Sequence, residues 1–177
     1  PAGVALAALF WGGLGNAAEL AAFIGERWNF TVGGACFPEV HPEAPDLETD
    51  LAYLKTKVDA GASFLITQLF FDNAVYFDFV AAARKAGIDV PILAGVIPVA
   101  SFAQTKRICD LCDASIPGRL ETAFAAAEGD ERAEFELGIA YAAQQCSELL
   151  IAGAPGIHFY ALNRAPATRA VLGALRA

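Results

Sequence analysis

The chain has 177 residues, is 56% hydrophobic, and sets 20 acidic against 12 basic side chains for a formal net charge of −8. That apolar content supports one sizeable core, and no polar or Pro/Gly/Ser tract interrupts it, so residues 1–177 read as a single domain. The acidic balance and the lack of any Lys/Arg run argue against a nucleic-acid partner.

At the start, Val4–Trp11 is apolar but too short to span a bilayer, and no basic region precedes it as a signal peptide requires. The expectation is a soluble, cytoplasmic protein without membrane contact. Gly12-Gly13-Leu14-Gly15-Asn16 imitates a phosphate loop but lacks the G-x-G-x-x-G spacing, and a turn before a helix is the plainer reading. Asn16 then serves as a possible N-cap for a helix to Glu26, followed by a strand over 30–37. The strand runs into Phe37-Pro38-Glu39-Val40-His41-Pro42-Glu43-Ala44, where two prolines fix the backbone around two carboxylates and an imidazole. Two readings stand: a binding segment at a strand's carboxyl end, or a Pro-shaped turn with solvated acids.

An amphipathic helix is expected from about Leu47 to Ala60, closed by Gly61, then a near-continuous apolar strand from Ser63 to Phe70. A helix from about Ala74 to Ala86 ends at Gly87, and Val90–Pro98 supplies a third strand. Further helices follow at about Phe102–Cys112, just after Ile116-Pro117-Gly118, and at Glu131–Ala152; a fourth strand at Gly156–Leu162 and a helix from Ala165 to Arg176 close the chain. The cysteines at 36, 109, 112 and 146 do not form a secreted disulfide pattern, and the lone Cys109-x-x-Cys112 reads as reduced, buried thiols at helical spacing.

Strands alternating with helices imply right-handed βαβ units and a parallel sheet. Each strand run leads into polar residues: Glu39 and His41, then Gln68, then Gln104, then Asn163 and Arg164. That repeated placement fits the catalytic face of a (β/α)8 TIM barrel better than a doubly wound sheet, whose first strand normally leads into a Gly-rich loop.

Four segments, Phe37–Ala44, Leu54–Ala62, Ile66–Asp72 and His158–Arg164, together resemble methylenetetrahydrofolate reductases, in the right order and spacing from about Asn16 to the C-terminus. The resemblance implies an α/β fold of the (β/α)8 family and a cytoplasmic flavoprotein. In that family a hydride passes from NADH or NADPH to FAD and then to methylenetetrahydrofolate, giving methyltetrahydrofolate for methionine synthesis. By resemblance the FAD positions are Asn16, Ala17, Ala35, Phe37, His41, Asp50, Tyr53, Thr56 and Lys57, and the folate positions are Gln68, Gln104, Ile108 and Arg164. Asp50, Tyr53 and Lys57 share one helix face by their spacing, which suits either ribose and pyrophosphate contacts or an ordinary solvated face. For Gln68 the alternative is an amide bonded only to backbone, and for Arg164 a salt bridge on the same face.

Some positions depart from the common bacterial pattern: Phe37 stands where Tyr is frequent, Thr56 where Arg is frequent, and Ile108 where an aromatic is frequent. A full barrel has eight strands in about 250 residues, so the expectation is an incomplete one with four to five parallel strands, matching the C-terminal part of the family's barrel. The family's proton-donating Glu and its Leu-Arg-Gly-Asp segment are not found in residues 1–15. Both are expected upstream of Pro1, so no catalytic acid is assigned within the chain, and the 177 residues alone are expected to be inactive. No metal site is expected. An open barrel leaves edges and an apolar interior to be covered by homo-oligomerisation, by a missing half, or partly by Val4–Trp11. Two other functions compete: a non-catalytic remnant or interaction domain that keeps partial flavin or folate binding, and a lyase using Lys57 as a Schiff-base amine, which its helical position disfavours.

Overall fold

The computed structural model describes residues 13–176; Pro1, against which the position of the family's acid was set, and Val4–Trp11 lie outside them. Seven helices and four strands alternate among the described residues: α1 (Ala17–Arg27), β1 (Val32–Cys36), α2 (Leu47–Asp59), β2 (Ala62–Thr67), α3 (Asn73–Lys85), β3 (Ile92–Val96), α4 (Phe102–Cys112), α5 (Gly118–Ala126), α6 (Glu131–Ile151), β4 (Ile157–Phe159) and α7 (Ala165–Ala174). The strands lie in the order β1-β2-β3-β4 and every neighbouring pair is parallel. This is a four-stranded portion of a (β/α)8-type barrel, with β1 and β4 at its edges.

Local chemistry starts and stops these elements. The Asn16 carboxamide oxygen accepts from the backbone N–H of Ala18 and Glu19, while the Glu19 carboxylate accepts from Gly15 N, one residue before the N–H that a capping box would use. Asp46, Asp72 and Ser101 cap α2, α3 and α4 in the same manner. The strands are shorter than their apolar runs. β2 stops at Thr67 because Gln68 leaves the sheet, and β4 stops at Phe159, just before Leu162 and Asn163 turn at positive φ (47° and 59°).

Register assigns the two faces of the sheet. Cys36, Leu65, Ile92, Ala94 and Val96 are buried under the helices, in a core with Leu54, Tyr76, Phe79, Cys146 and Leu149. The Tyr76 hydroxyl donates to Ile92 O at 2.7 Å inside that core. On the opposite face Gly33 and Ala35 pair with Phe64 and Ile66, Ile66 with Leu93, and Gly95 with His158. Most of this second face is only partly covered: Gly33 and Ala35 are exposed and Phe64, Ile66, Leu93 and His158 half-buried. A second apolar cluster of Leu69, Phe71, Ile97, Val99, Cys109, Leu120 and Phe124 joins α4 and α5 to the loops after β2 and β3.

Candidate functional site

All the polar residues that follow the strands come out at one end of the sheet, its carboxyl end. Backbone strain gathers there too: of four non-glycine residues with positive φ among the described residues, Val40, Leu162 and Asn163 lie in the loops leaving β1 and β4. For Val40, at φ 73°, a β-branched side chain makes that conformation costly, so the surrounding contacts must hold it.

Those contacts settle how the 37–44 segment is built. His41 N donates to Asp50 Oδ2 at 3.0 Å, Glu43 N donates to His41 Nδ1 at 3.1 Å, and Ala44 N closes a turn on His41 O. The Phe37 ring meets the His41 ring edge-on at 4.4 Å. Glu39 Oε2 accepts from Ser115 N, tying this loop to the one after α4. The segment is therefore a fixed scaffold, with Glu43 exposed and His41 Nε2 left as the ring's outward nitrogen.

The face of α2 beside it carries charge at the sheet's edge. Lys57 Nζ donates to Ala35 O at 2.7 Å, and its stem lies over Gly34, where a Cβ would come within 2.9 Å of Lys57 Cδ. Glycine at 34 is what lets the lysine cross the strand. Burial pushes the Lys57 ammonium below its ordinary pKa and the Asp50 carboxyl above its own, each partly offset by the other's charge. Burial drives the neighbouring Cys36 thiol up to about 12, so it stays protonated. Lys57 has no carboxylate within ion-pair distance among the described residues. Tyr53 is 63% exposed on the same helix, and the Thr56 hydroxyl is turned back to Ala52 O. Asn16 and Ala17 sit at the start of α1, where the Asn16 side chain is engaged by its own helix.

The strand ends in the middle of the sheet form a polar node. Gly95 N donates to Thr67 Oγ1 at 2.8 Å, and Tyr160 OH donates to Thr67 O at 2.8 Å. A Cβ on Gly95 would lie 2.2 Å from Thr67 O and 2.8 Å from the Tyr160 ring, so only glycine fits. Neither Thr67 nor Tyr160 stood out in the sequence, although both lie inside quoted segments; a hydroxyl inside an apolar strand was the available signal. Gln68, half-buried, follows directly: its N–H goes to Cys36 O and its Oε1 accepts from Leu69 N, leaving Nε2 as a donor without a partner among the described residues.

Gln104, Ile108 and Arg164 meet in one cleft between α4 and the β4–α7 loop, with Tyr160, Leu162 and Thr168. Arg164 also borders a wider opening of about 560 Å3 beside Glu131, Glu134 and Phe135, and it makes no ion pair among the described residues. Thr168 lines the cleft, but its hydroxyl oxygen is buried away from it and has no hydrogen-bond partner among the described residues. The cysteines of the C-x-x-C pair lie behind this region; Cys109 is buried, and desolvation raises both thiols, Cys109 to about 12.

In parallel barrel-type sheets the carboxyl ends of the strands are where ligands bind, and this sheet gathers its polar, strained loops at that end. The family model for methylenetetrahydrofolate reductase matches residues 11–176. The chain is 39% identical over 155 residues to 5,10-methylenetetrahydrofolate reductase of Salmonella typhimurium, covering 88% of this chain and 52% of that protein. It is 39% identical over 147 residues to a probable NADPH-dependent methylenetetrahydrofolate reductase of Caenorhabditis elegans, covering 82% of this chain and 22% of that protein. It is also 37% identical over 148 residues to methylenetetrahydrofolate reductase (NADH) 1 of Arabidopsis thaliana, covering 78% and 25%. A solved structure from Clostridium thermocellum, described as binding two copies of 5-methyl-5,6,7,8-tetrahydrofolic acid, matches the fold with a TM-score of 0.58 at 20% identity, over 90% of this chain and 57% of that one. The chain belongs to the methylenetetrahydrofolate reductase family, and it spans about half the length of the bacterial relatives it matches.

Proposed function

We propose that this chain forms the folate-facing part, and one wall of the flavin site, of a reductase that converts methylenetetrahydrofolate to methyltetrahydrofolate with NADH or NADPH as hydride donor. The observation that supports this best is the convergence of Gln104, Ile108, Tyr160 and Arg164 on one cleft at the carboxyl end of the sheet, with Gln68 leaving β2 at the same end in a smaller recess beside Phe37 and Glu39. Gln68 Nε2 can donate to a pterin ring acceptor. Arg164, without a carboxylate of its own, can take a glutamate carboxylate through two N–H groups.

The residues on the β1 side fit FAD. A cation held only by a backbone carbonyl, exposed backbone at Ala35, and the exposed ring of Tyr53 offer a place for pyrophosphate, ribose and a planar ring. FAD, when bound, accepts and passes on the hydride. Lys57 would hold phosphate charge, Asp50 fixes the loop through His41 N and would offer its other oxygen to a ribose hydroxyl, and Phe37 packs on His41 without the hydroxyl a tyrosine would add. Asn16 and Ala17 contribute through backbone at the start of α1. The general acid of the reaction is assigned to no residue from Pro1 onward. The partly open second face of the sheet is completed by further strands, from the same protein or a second copy.

The test is the visible absorption of the purified protein after FAD is added and free cofactor removed. A retained flavin band that weakens about tenfold in affinity in Lys57→Gln, a loss equivalent to about 1.4 kcal/mol, supports the assignment. A colourless protein under saturating FAD, with the complete barrel present, would overturn it.

A further inference from the structure

The loop that starts with Gln68 has a second, outer side. Its middle is held by α6: Gln145 Nε2 donates to Phe70 O at 2.9 Å and Tyr141 OH to Phe71 O at 2.6 Å, so two consecutive carbonyls are clamped by one helix. Against this clamp lies a cavity of about 330 Å3, walled by Phe71, Asn73, Arg119, Leu120, Tyr141 and Glu148 among others. It does not share a residue with the cleft around Gln104 and Arg164.

The cavity's chemistry is two-signed. Asn73 Nδ2 donates to Gln145 O at 3.3 Å and Glu148 Oε2 at 2.9 Å, which holds the cavity wall together, while its Oδ1 is turned away from solvent with no partner among the described residues. Glu148 Oε1 accepts from Gln144 Nε2, and the exposed carboxylate of Asp72 stands beside it, so that side of the cavity favours a cationic donor. The exposed Arg119 also lines the cavity and has no ion pair among the described residues, which favours an anion. Phe71 and Leu120, both buried, supply an apolar floor. A pocket at the lower end of the usual 300–1,000 Å3 range takes a small molecule, not a nucleotide.

We infer that this cavity is a second binding site, for a small zwitterion of amino-acid type: ammonium toward the Asp72 and Glu148 carboxylates, carboxylate on Arg119, side chain on Phe71 and Leu120. Because the same short loop carries the cavity wall at Phe71 to Asn73 and begins with Gln68, filling the cavity is felt at Gln68. That coupling to folate rests on the reading of Gln68 given above; the site itself does not.

The experiment is an amide NMR titration of the intact protein with L-leucine, set beside 3-methylbutylamine and 4-methylpentanoate, each of which carries one of the two charges. Leucine is expected to shift Phe71, Asn73 and Leu120, with Gln68 following on the same curve, and to bind at least tenfold tighter than either half-molecule. Arg119→Gln, at an exposed position that leaves the core intact, is expected to weaken leucine about tenfold or more, and Glu148→Gln, also exposed, to do the same. The site is overturned if about 10 mM leucine leaves these amides unmoved, if the amine alone binds as tightly, or if Arg119→Gln changes nothing. Shifts in the cavity with Gln68 silent would overturn the coupling. Since none of these readouts uses turnover, failure of the folate assignment would show separately, as absent folate binding with leucine binding intact.

Discussion

Asp50 and Tyr76 show what single side chains do here. Asp50 is held in a partly desolvated position as the acceptor for His41 N, and burial raises its pKa above the ordinary 3.8. The sign follows from linkage. The folded state favours the protonated acid, so this contribution to stability is present below the unfolded pKa and is lost as pH rises through the raised folded value. Asp50→Asn keeps an oxygen acceptor and removes the charge, so its melting temperature is expected to match the wild type near pH 3.5 and to equal or exceed it at pH 7. Thermal melts of both proteins at the two pH values check this, and a variant that melts lower at pH 7 alone would mean that the ionised carboxylate stabilises the loop. Tyr76 ties α3 to β3 through Ile92 O in the core. Tyr76→Phe is expected to lose about 1–2 kcal/mol in urea unfolding, the usual cost of removing a donor from a buried acceptor.

At the scale of elements, helix α6 is the long strut behind the sheet, and its contact with the β3–α4 loop depends on one missing methyl group. A Cβ on Gly138 would stand 1.9 Å from Val99 O. In an isolated helix Gly→Ala gains about 1 kcal/mol, but here the helix must move away from a backbone carbonyl, and overpacking costs about 1–3 kcal/mol or more. Gly138→Ala is therefore expected to destabilise despite its better helix propensity, by about 2 kcal/mol in chemical denaturation. The elements themselves were largely legible, because a capping residue such as Asn16 and apolar periodicity act locally, while the caps at Asp46 and Ser101 went unread. Strand ends were less legible. Ser63–Phe70 is one apolar run, yet β2 ends at Thr67 and Leu69–Phe71 pack into loops, since hydrophobicity reports burial and not hydrogen-bond pairing.

For the whole molecule, the sheet's two faces differ in a way that governs association. One is covered by helices; the other presents Gly33, Ala35, Phe64, Ile66 and Leu93 with only partial cover, between edges at β1 and β4. An apolar sheet face with open edges is a docking surface for further strands. The 177-residue chain taken alone is expected to sediment as more than a monomer, and Ile66→Glu, on that face, to shift it toward monomer at the same concentration. A monomeric wild-type chain across the micromolar range would show that the face is satisfied within the chain. The resemblance carried by four short segments placed the chain in its family, and the family match agrees. The cleft around Arg164 and the cavity at Asn73 were not predictable in shape, because each is made by loops far apart in sequence.

What the sequence determined by itself was whatever is encoded in neighbouring residues: helix starts and stops, the strand-helix alternation, the parallel class, and the motif set that names the family. Tertiary structure alone decided which groups are left without partners. Lys57 reaches Ala35 O because Gly34 is bare, Thr67 becomes a node because Gly95 and Tyr160 meet it, and Asn73 Oδ1 is stranded because α6 takes only the other half of its amide. The physical reason is that periodicity and capping act over a few residues, whereas desolvation and hydrogen-bond satisfaction are set by groups up to about a hundred positions away in the chain.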